Sequence, residues 1–167
     1  MKIAHIINPF NGSEEQNNIQ NITFESLKRA LEYAKNVKVE IIASHFKSDE
    51  NTIPSFVNTK VVLGKSVLDY NPNLKQRALP TLNDILAEAI DKTDADYIVF
   101  TNIDIGLMEN FYEAVAEIVE QGIDAFAINR RRVSGKYQSA NQLNKIYSDA
   151  GYLHNGYDCF VFKKEEK

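Results

Sequence analysis

A single cysteine, Cys159, stands in the 167 residues. No disulfide can form within the chain, which favours a reducing compartment. Basic residues are not in excess: 19 Lys and Arg face 23 Asp and Glu, for a net charge of −4. That balance argues against nucleic acid or an anionic membrane as the main partner, and leaves a small anionic ligand open, since one local basic cluster suffices for it. No apolar run approaches the roughly 20 residues of a membrane span. The opening Met-Lys-Ile-Ala-His-Ile-Ile-Asn-Pro breaks off too early for a signal peptide, so a cytoplasmic location is expected. The Gly-x-Gly-x-x-Gly fingerprint is missing after the first apolar run, as are the Walker pattern, the Gly-x-Ser-x-Gly elbow and zinc-ligand spacings. A Rossmann dinucleotide site is thereby disfavoured, and the other three motifs give no lead. There is no internal repeat, and low complexity is confined to the charged tail 163–167.

What is present is ordinary for a globular protein: 44% hydrophobic and 25% charged residues. The length suits one domain, 1–167, with a sizeable core. Residues 3–7 read as a strand that stops at Asn8-Pro9, because Pro9 cannot donate to a ladder. The polar stretch 10–21 is expected to be a mobile loop. Asn21 or Thr23 then caps a helix with Phe24, Leu27, Ala30, Leu31 and Ala34 on one face. Residues 37–43 alternate as a strand, 44–58 look irregular, and 60–63 make a short third strand. The connection 64–80 carries Lys65, Lys75 and Arg77 and has the length of a functional or mobile loop. Thr81 is placed as an N-cap, with Leu82, Ile85, Leu86, Ala89 and Ile90 as the stripe of its helix.

The chain is organised around 96–108. Tyr97-Ile98-Val99-Phe100 is the apolar run of a buried parallel strand, followed at once by Thr101, Asn102 and Asp104. A helix from about 108 to 121 follows, with Phe111, Ala114, Val115, Ile118 and Val119 inward and Gly122 ending it. Further strands are expected over 123–128 and 158–162, with a helical segment near 140–147. Strands alternating with amphipathic helices predict an α/β fold, three-layered and mostly parallel, whose last strand adds antiparallel.

Oxygen ligands at the carboxyl end of a central strand suit a nucleotide or a divalent cation. Asp104 can ligate Mg²⁺ or Mn²⁺ and Asn102 can hold a ribose hydroxyl or a metal-bound water; equally, Asp104 can cap the next helix. Lys65, Lys75, Arg77 and Arg130 to Arg132 are candidate phosphate partners, or a solvated basic patch. His154 is either a second metal ligand or a structural loop histidine. Asp158 is a base, a ligand for a substrate hydroxyl, or a strand cap. Cys159 reads as an inert core residue.

The order of Ile7-Asn8-Pro9-Phe10, Ile22-Thr23-Phe24-Glu25-Ser26-Leu27, Leu79-Pro80-Thr81-Leu82-Asn83-Asp84-Ile85-Leu86, Ala95 through Ile105, Ala127-Ile128-Asn129-Arg130-Arg131 and His154 through Phe162 resembles a poorly characterised bacterial glycosyltransferase-like group. That group is similar to the nucleotide-diphospho-sugar transferases of the A-type, Rossmann-like fold. The resemblance implies metal-assisted transfer of a sugar from a UDP- or GDP-linked donor to an unknown acceptor, with Mg²⁺ or Mn²⁺ as cofactor. The last position of the fold's Asp-x-Asp motif falls on Asp104, while its first is Asn102. Pro9 would line the base pocket, Arg77 would meet the diphosphate, and Asp158 stands where an acceptor-activating carboxylate is sought. The chain stops soon after residue 162, so the acceptor-side extension usual in the fold is expected to be lacking. A non-catalytic nucleotide-sugar-binding module is the alternative, as is a small metal-dependent α/β hydrolase or nucleotidyltransferase-type enzyme.

Overall fold

The computed structural model describes residues 1–75 and 77–165; the last two residues of the charged tail lie outside them. Six strands form one sheet in the order β3-β2-β1-β4-β6-β5. They are β1 (Lys2–Ile7), β2 (Lys38–His45), β3 (Thr59–Val62), β4 (Tyr97–Thr101), β5 (Ala125–Arg132) and β6 (Tyr152–Lys163). The first four pair in parallel, and β6 runs antiparallel between β4 and β5. This is the expected α/β architecture with its antiparallel last strand.

Period-2 alternation sorts the strands onto two faces. Ile3, Ile7, Ile41, Tyr97, Val99, Cys159 and Val161 meet helices α1 (Glu14–Tyr33) and α4 (Phe111–Glu120). Ala4, Ile6, Ile42, Val61, Ile98 and Phe100 meet α3 (Leu82–Ile90) on the other. Two short helices, α2 (Val67–Tyr70) and α5 (Leu143–Ser148), lie in the connections. Beyond β4 the second face is open: Phe160 is 40% exposed, and Ala125 and Ala127 beside it are exposed too.

Three differences from the sequence reading have physical causes. The stretch 10–21 is no mobile loop, for α1 begins at Glu14 with Ser13 as N-cap and Gln16 completing a capping box. Its inner face is polar there, which hid it from an apolar-period reading. Gln20 holds both backbone groups of Phe10 (3.0 and 2.8 Å), and Asn17 both of Gly12 (3.0 and 3.2 Å). Second, α4 starts at Phe111 and turns Tyr112 fully inward, because its hydroxyl lies 2.8 Å from Nδ1 of buried His5. Gly122 does end that helix, at φ +86°. Third, β5 and β6 are longer than expected, so Arg130 to Arg132 lie within a strand and His154 to Asp158 within another. Their outward faces are wet, which breaks the apolar run that marks a buried strand.

Candidate functional site

The carboxyl ends of β1 and β4 open into a cavity of about 720 Å³. Its walls come from the β1–α1 turn (Asn8, Phe10, Asn11), the turn after β2 (Phe46, Asp49), the connection after β3 (Ser66, Arg77) and the β4 end (Asn102, Asp104). A crevice at the strand ends of an open α/β sheet is where such folds take ligands. Short-range polar contacts fix these walls. Asn8 donates to the Ser44 carbonyl (2.6 Å), and Asn11 N–H donates to Asp49 (3.0 Å). Ser66 N–H and hydroxyl hold Asp69 (2.7 and 2.8 Å), and the backbone bond first of all keeps that carboxyl below its usual range. Arg77 lays its guanidinium over the Phe10 ring at 4.8 Å, a cation–π contact.

Asn102 to Ile105 form a tight turn, closed by Ile105 N–H on the Asn102 carbonyl at 3.2 Å. Thr101 does not join it. Its hydroxyl faces inward to His5 Nε2 at 2.9 Å, and burial lowers the His5 pKa to about 3. Asp104 caps no helix either, since the next helix starts at Phe111. Its side chain is 56% exposed and borders both the first cavity and a second one of about 610 Å³. The second cavity lies between α1, the turn after β4, and β5, with Ile19, Met108, Phe111, Arg130 and Arg132 in its lining.

The other half of the site is built by irregular pairing in the β5–β6 ribbon. Ile128 pairs with Cys159 but Asn129 with Tyr157, so Asp158 is the extra residue of a bulge. The next register step, from Asn129–Tyr157 to Arg131–Leu153, takes up two more residues of β6 around His154. Arg130 is thereby surrounded. Its Nε lies 2.8 Å from Asp158 Oδ2, its Nη1 3.9 Å from Asp104 Oδ2, and its Nη2 3.2 Å from His154 Nε2. Asn102 Nδ2 donates to Asp158 Oδ1 at 3.1 Å. Arg130 Nε and Asp158 Oδ2 are both buried without an aligned hydrogen bond, so their contact is a charge pairing at close range.

Of the residues singled out from sequence, Asn102, Asp104, His154 and Asp158 therefore converge, and Arg77 stands across the first cavity. Pro9 is buried, while its neighbours Asn8 and Phe10 reach the cavity. Lys65 sits over the Tyr70 ring at 5.6 Å, and Lys75 is exposed. Arg131 clamps the carbonyls of Tyr147 and Ala150 (3.1 and 3.4 Å). Burial pushes the Cys159 thiol up to about 12, in keeping with an inert core residue. Sequence reasoning did not single out Gln20 or Asp49, which hold the β1–α1 turn from sites with no local signal. It also named Arg130 only as one of six possible phosphate partners.

The sequence resemblance implies a divalent cation at Asp104, and the sequence reading offers His154 as a second ligand. Asp104 is the hard, accessible oxygen ligand such a cation takes. His154 is not free to join it: a guanidinium can only donate, so Nε2 accepts from Arg130 and its lone pair is used. Among the described residues, no three His, Cys, Asp or Glu side chains are grouped to hold a metal ion. With a fixed positive charge already between the carboxylates, the donor set as arranged does not fit a divalent cation.

No family profile matches the chain, and no curated protein does. Solved structures do. The 4-diphosphocytidyl-2C-methyl-D-erythritol synthase from Anaerococcus prevotii aligns over 96% of this chain and 70% of its own, at 12% identity and a TM-score of 0.53. Glucosyl-3-phosphoglycerate synthase from Mycobacterium tuberculosis, solved with Mn²⁺, uridine-diphosphate-glucose and phosphoglyceric acid, aligns over 74% of this chain and 42% of its own. Its identity is 17% and its TM-score 0.45. For S. aureus TarS the figures are 98%, 47%, 14% and 0.47. The chain thus spans less than half of the last two proteins. At these identities the likeness is one of fold alone: a mostly parallel α/β sheet.

Proposed function

We propose that this chain binds a nucleotide-diphospho-sugar in the 720 Å³ cavity and passes the sugar to an acceptor that enters the 610 Å³ cavity. The observation that carries the reading is the junction: Asp104 borders both cavities, at the end of the central strand. A group-transfer enzyme needs two ligands meeting end to end, and two adjoining cavities at the strand ends supply that geometry. Asn8 and Phe10 line the part of the first cavity next to β1 and suit the nucleoside. Arg77 faces the diphosphate, where a planar guanidinium offers paired donors to phosphate oxygens. Asn102 orients Asp158, and Asp158 in turn orients Arg130. Both Asp158 oxygens are so engaged, which makes it a positioning residue, and Asp104 is the accessible carboxylate at the junction.

Thermal unfolding tests this. A ligand that binds only the folded state raises its midpoint, by about 2.7 kcal/mol of stabilisation at a hundredfold excess over Kd. UDP-sugars and GDP-sugars are each added with EDTA or with Mn²⁺, and CTP is included for the nucleotidyltransferase alternative. A nucleotide sugar should raise the midpoint, and Arg77→Ala should remove most of the rise. No shift with any nucleotide sugar sinks the reading. A shift with no sugar transfer across a panel of acceptors favours the binding module.

A further inference from the structure

We propose that the acceptor taken by the 610 Å³ cavity is a hydroxylated organic acid with an apolar body, its acid on Arg132 and its hydroxyl toward Asp104. This rests on the group-transfer reading of the two cavities. One charge in the second cavity is uncommitted. Arg130, Arg131 and Arg132 all line it, and the first two are engaged. Arg130 is held between Asp158 and Asp104, and Arg131 donates to the carbonyls of Tyr147 and Ala150. Among the described residues, the Arg132 guanidinium has neither a hydrogen bond nor an ion pair. Glu15 lines the same cavity but does not pair with it. Lys136 adds positive charge beside the lining residue Tyr137, over whose ring it sits. An unpaired guanidinium at a cavity wall offers a planar fork of donors to a carboxylate or a phosphate.

The rest of the lining says what that acid is attached to. Ile19, Met108, Phe111, Val133 and Ile146 make much of the wall apolar, and Met108 stands 49% exposed at it. A small inorganic anion would use none of this surface, and a plain hydrocarbon would leave Arg132 unmet. Orientation follows from β5. Arg132 lies two residues along the strand from Arg130, roughly 7 Å in extended backbone. Arg130 is in turn the residue 3.9 Å from Asp104. An acceptor lying along the strand with its acid on Arg132 therefore brings its other end to the junction that Asp104 borders. That end is the hydroxyl, because Asp104 repels a second negative charge. The wall supplied by the connection after β5 is fastened in place without a ligand. The Tyr147 hydroxyl donates to the Leu107 carbonyl (2.8 Å), and the Tyr137 hydroxyl to Asp149 (2.8 Å).

Calorimetric titration of the purified chain, with no nucleotide present, tests this with matched probes: ω-hydroxyhexanoate, ω-hydroxyhexyl phosphate, hexanediol and inorganic phosphate. One or both hydroxy acids should bind, about tenfold or more tighter than hexanediol or inorganic phosphate. The better of the two tells whether the acid is a carboxylate or a phosphate. Arg132→Gln should weaken that binding about ten- to a hundredfold, the loss of one charge-assisted contact, and Arg132→Lys should recover part of it. Lys92→Gln, the same change of charge at an exposed site beyond α3, should leave it unaltered. Binding of hexanediol or of inorganic phosphate as tight as that of the hydroxy acids overturns the proposal. So does an equal loss in Lys92→Gln, or an Arg132→Gln chain, folded by circular dichroism, that binds as wild type does. Failure of both hydroxy acids to bind wild type overturns it too. If Arg132→Gln does not fold, the comparison of probes on wild type decides by itself. The donor reading is judged apart, by the unfolding midpoint with nucleotide sugars. Hydroxy acids that bind a chain whose midpoint no nucleotide sugar shifts would keep the ligand class of this cavity and remove its part in a transfer.

Discussion

On one side of β4, strands β1 and β2 are covered on both faces; on the other, the ribbon is covered on one. β1 and β2 lie between α3 and the α1–α4 layer and bury apolar residues on both sides, while the edge strand β3 buries only Val61. The ribbon β6–β5 keeps its apolar contacts with α4 but leaves Phe160, Ala125 and Ala127 exposed. The two regions hold their parts of the site differently as a result. Around β1, neutral hydrogen bonds from Gln20, Asn17 and Asn8 to backbone groups fix a loop. In the ribbon, charge does the work: Arg130 gathers Asp158, Asp104 and His154. A sandwiched region can be pinned by contacts that are satisfied locally, whereas a ribbon half in water relies on charges strong enough to order long side chains.

Three experiments can break or sharpen that contrast. The largest effect is expected from Leu27→Ala in α1, a side chain with no exposure in the sandwiched half. It should cost about 3 kcal/mol in urea denaturation, as buried Leu truncations do. Phe160→Ala on the open face should cost about 1 kcal/mol or less. Equal losses at the two positions would mean that the ribbon's outer face is as well covered as the core. Next comes pH. Burial holds the His5 pKa at about 3, against 6.5 in the unfolded chain, so the unfolded state binds the proton first as pH falls. Stability is full above about pH 6.5 and declines toward pH 3, and near pH 4.5 this one group should account for a loss on the order of 2–3 kcal/mol. Denaturation midpoints of His5→Gln against wild type from pH 7 to 4.5 read it out. A parallel decline in the two proteins would remove His5 as the cause. The smallest effect is Ser13→Ala at the α1 cap, about 1 kcal/mol, measured the same way.

Legibility in the sequence follows the same division. Where both faces are buried, apolar run and period were enough: β1, β4 and α3 were expected close to their observed places, and so was the antiparallel last strand. The start of α1 was missed because its inner residues there are Gln20 and Asn17, which serve the backbone of the β1–α1 turn and carry no hydrophobic period. The lengths of β5 and β6 were missed because one side of the ribbon faces water. Asp104 was legible as a residue at the end of a central strand. Its link to Arg130 was not, because that contact depends on a bulge, and a bulge is a matter of pairing register between two strands rather than of composition in either.

The bulge has a further consequence. Side chains along a strand obey an even-and-odd rule, and inserting or removing one residue exchanges the two faces for everything beyond it. With Ile128 paired to Cys159 and Asn129 to Tyr157, residue 158 is the uncounted one, so the ribbon carries a built-in change of parity between core and site. Residues 159–163 keep pace with β4, while 152–157 keep a separate count with β5. The distal ribbon is thus free to vary in length without shifting a single core side chain, and one deletion at 158 would leave the sheet intact while removing the acid partner of Arg130.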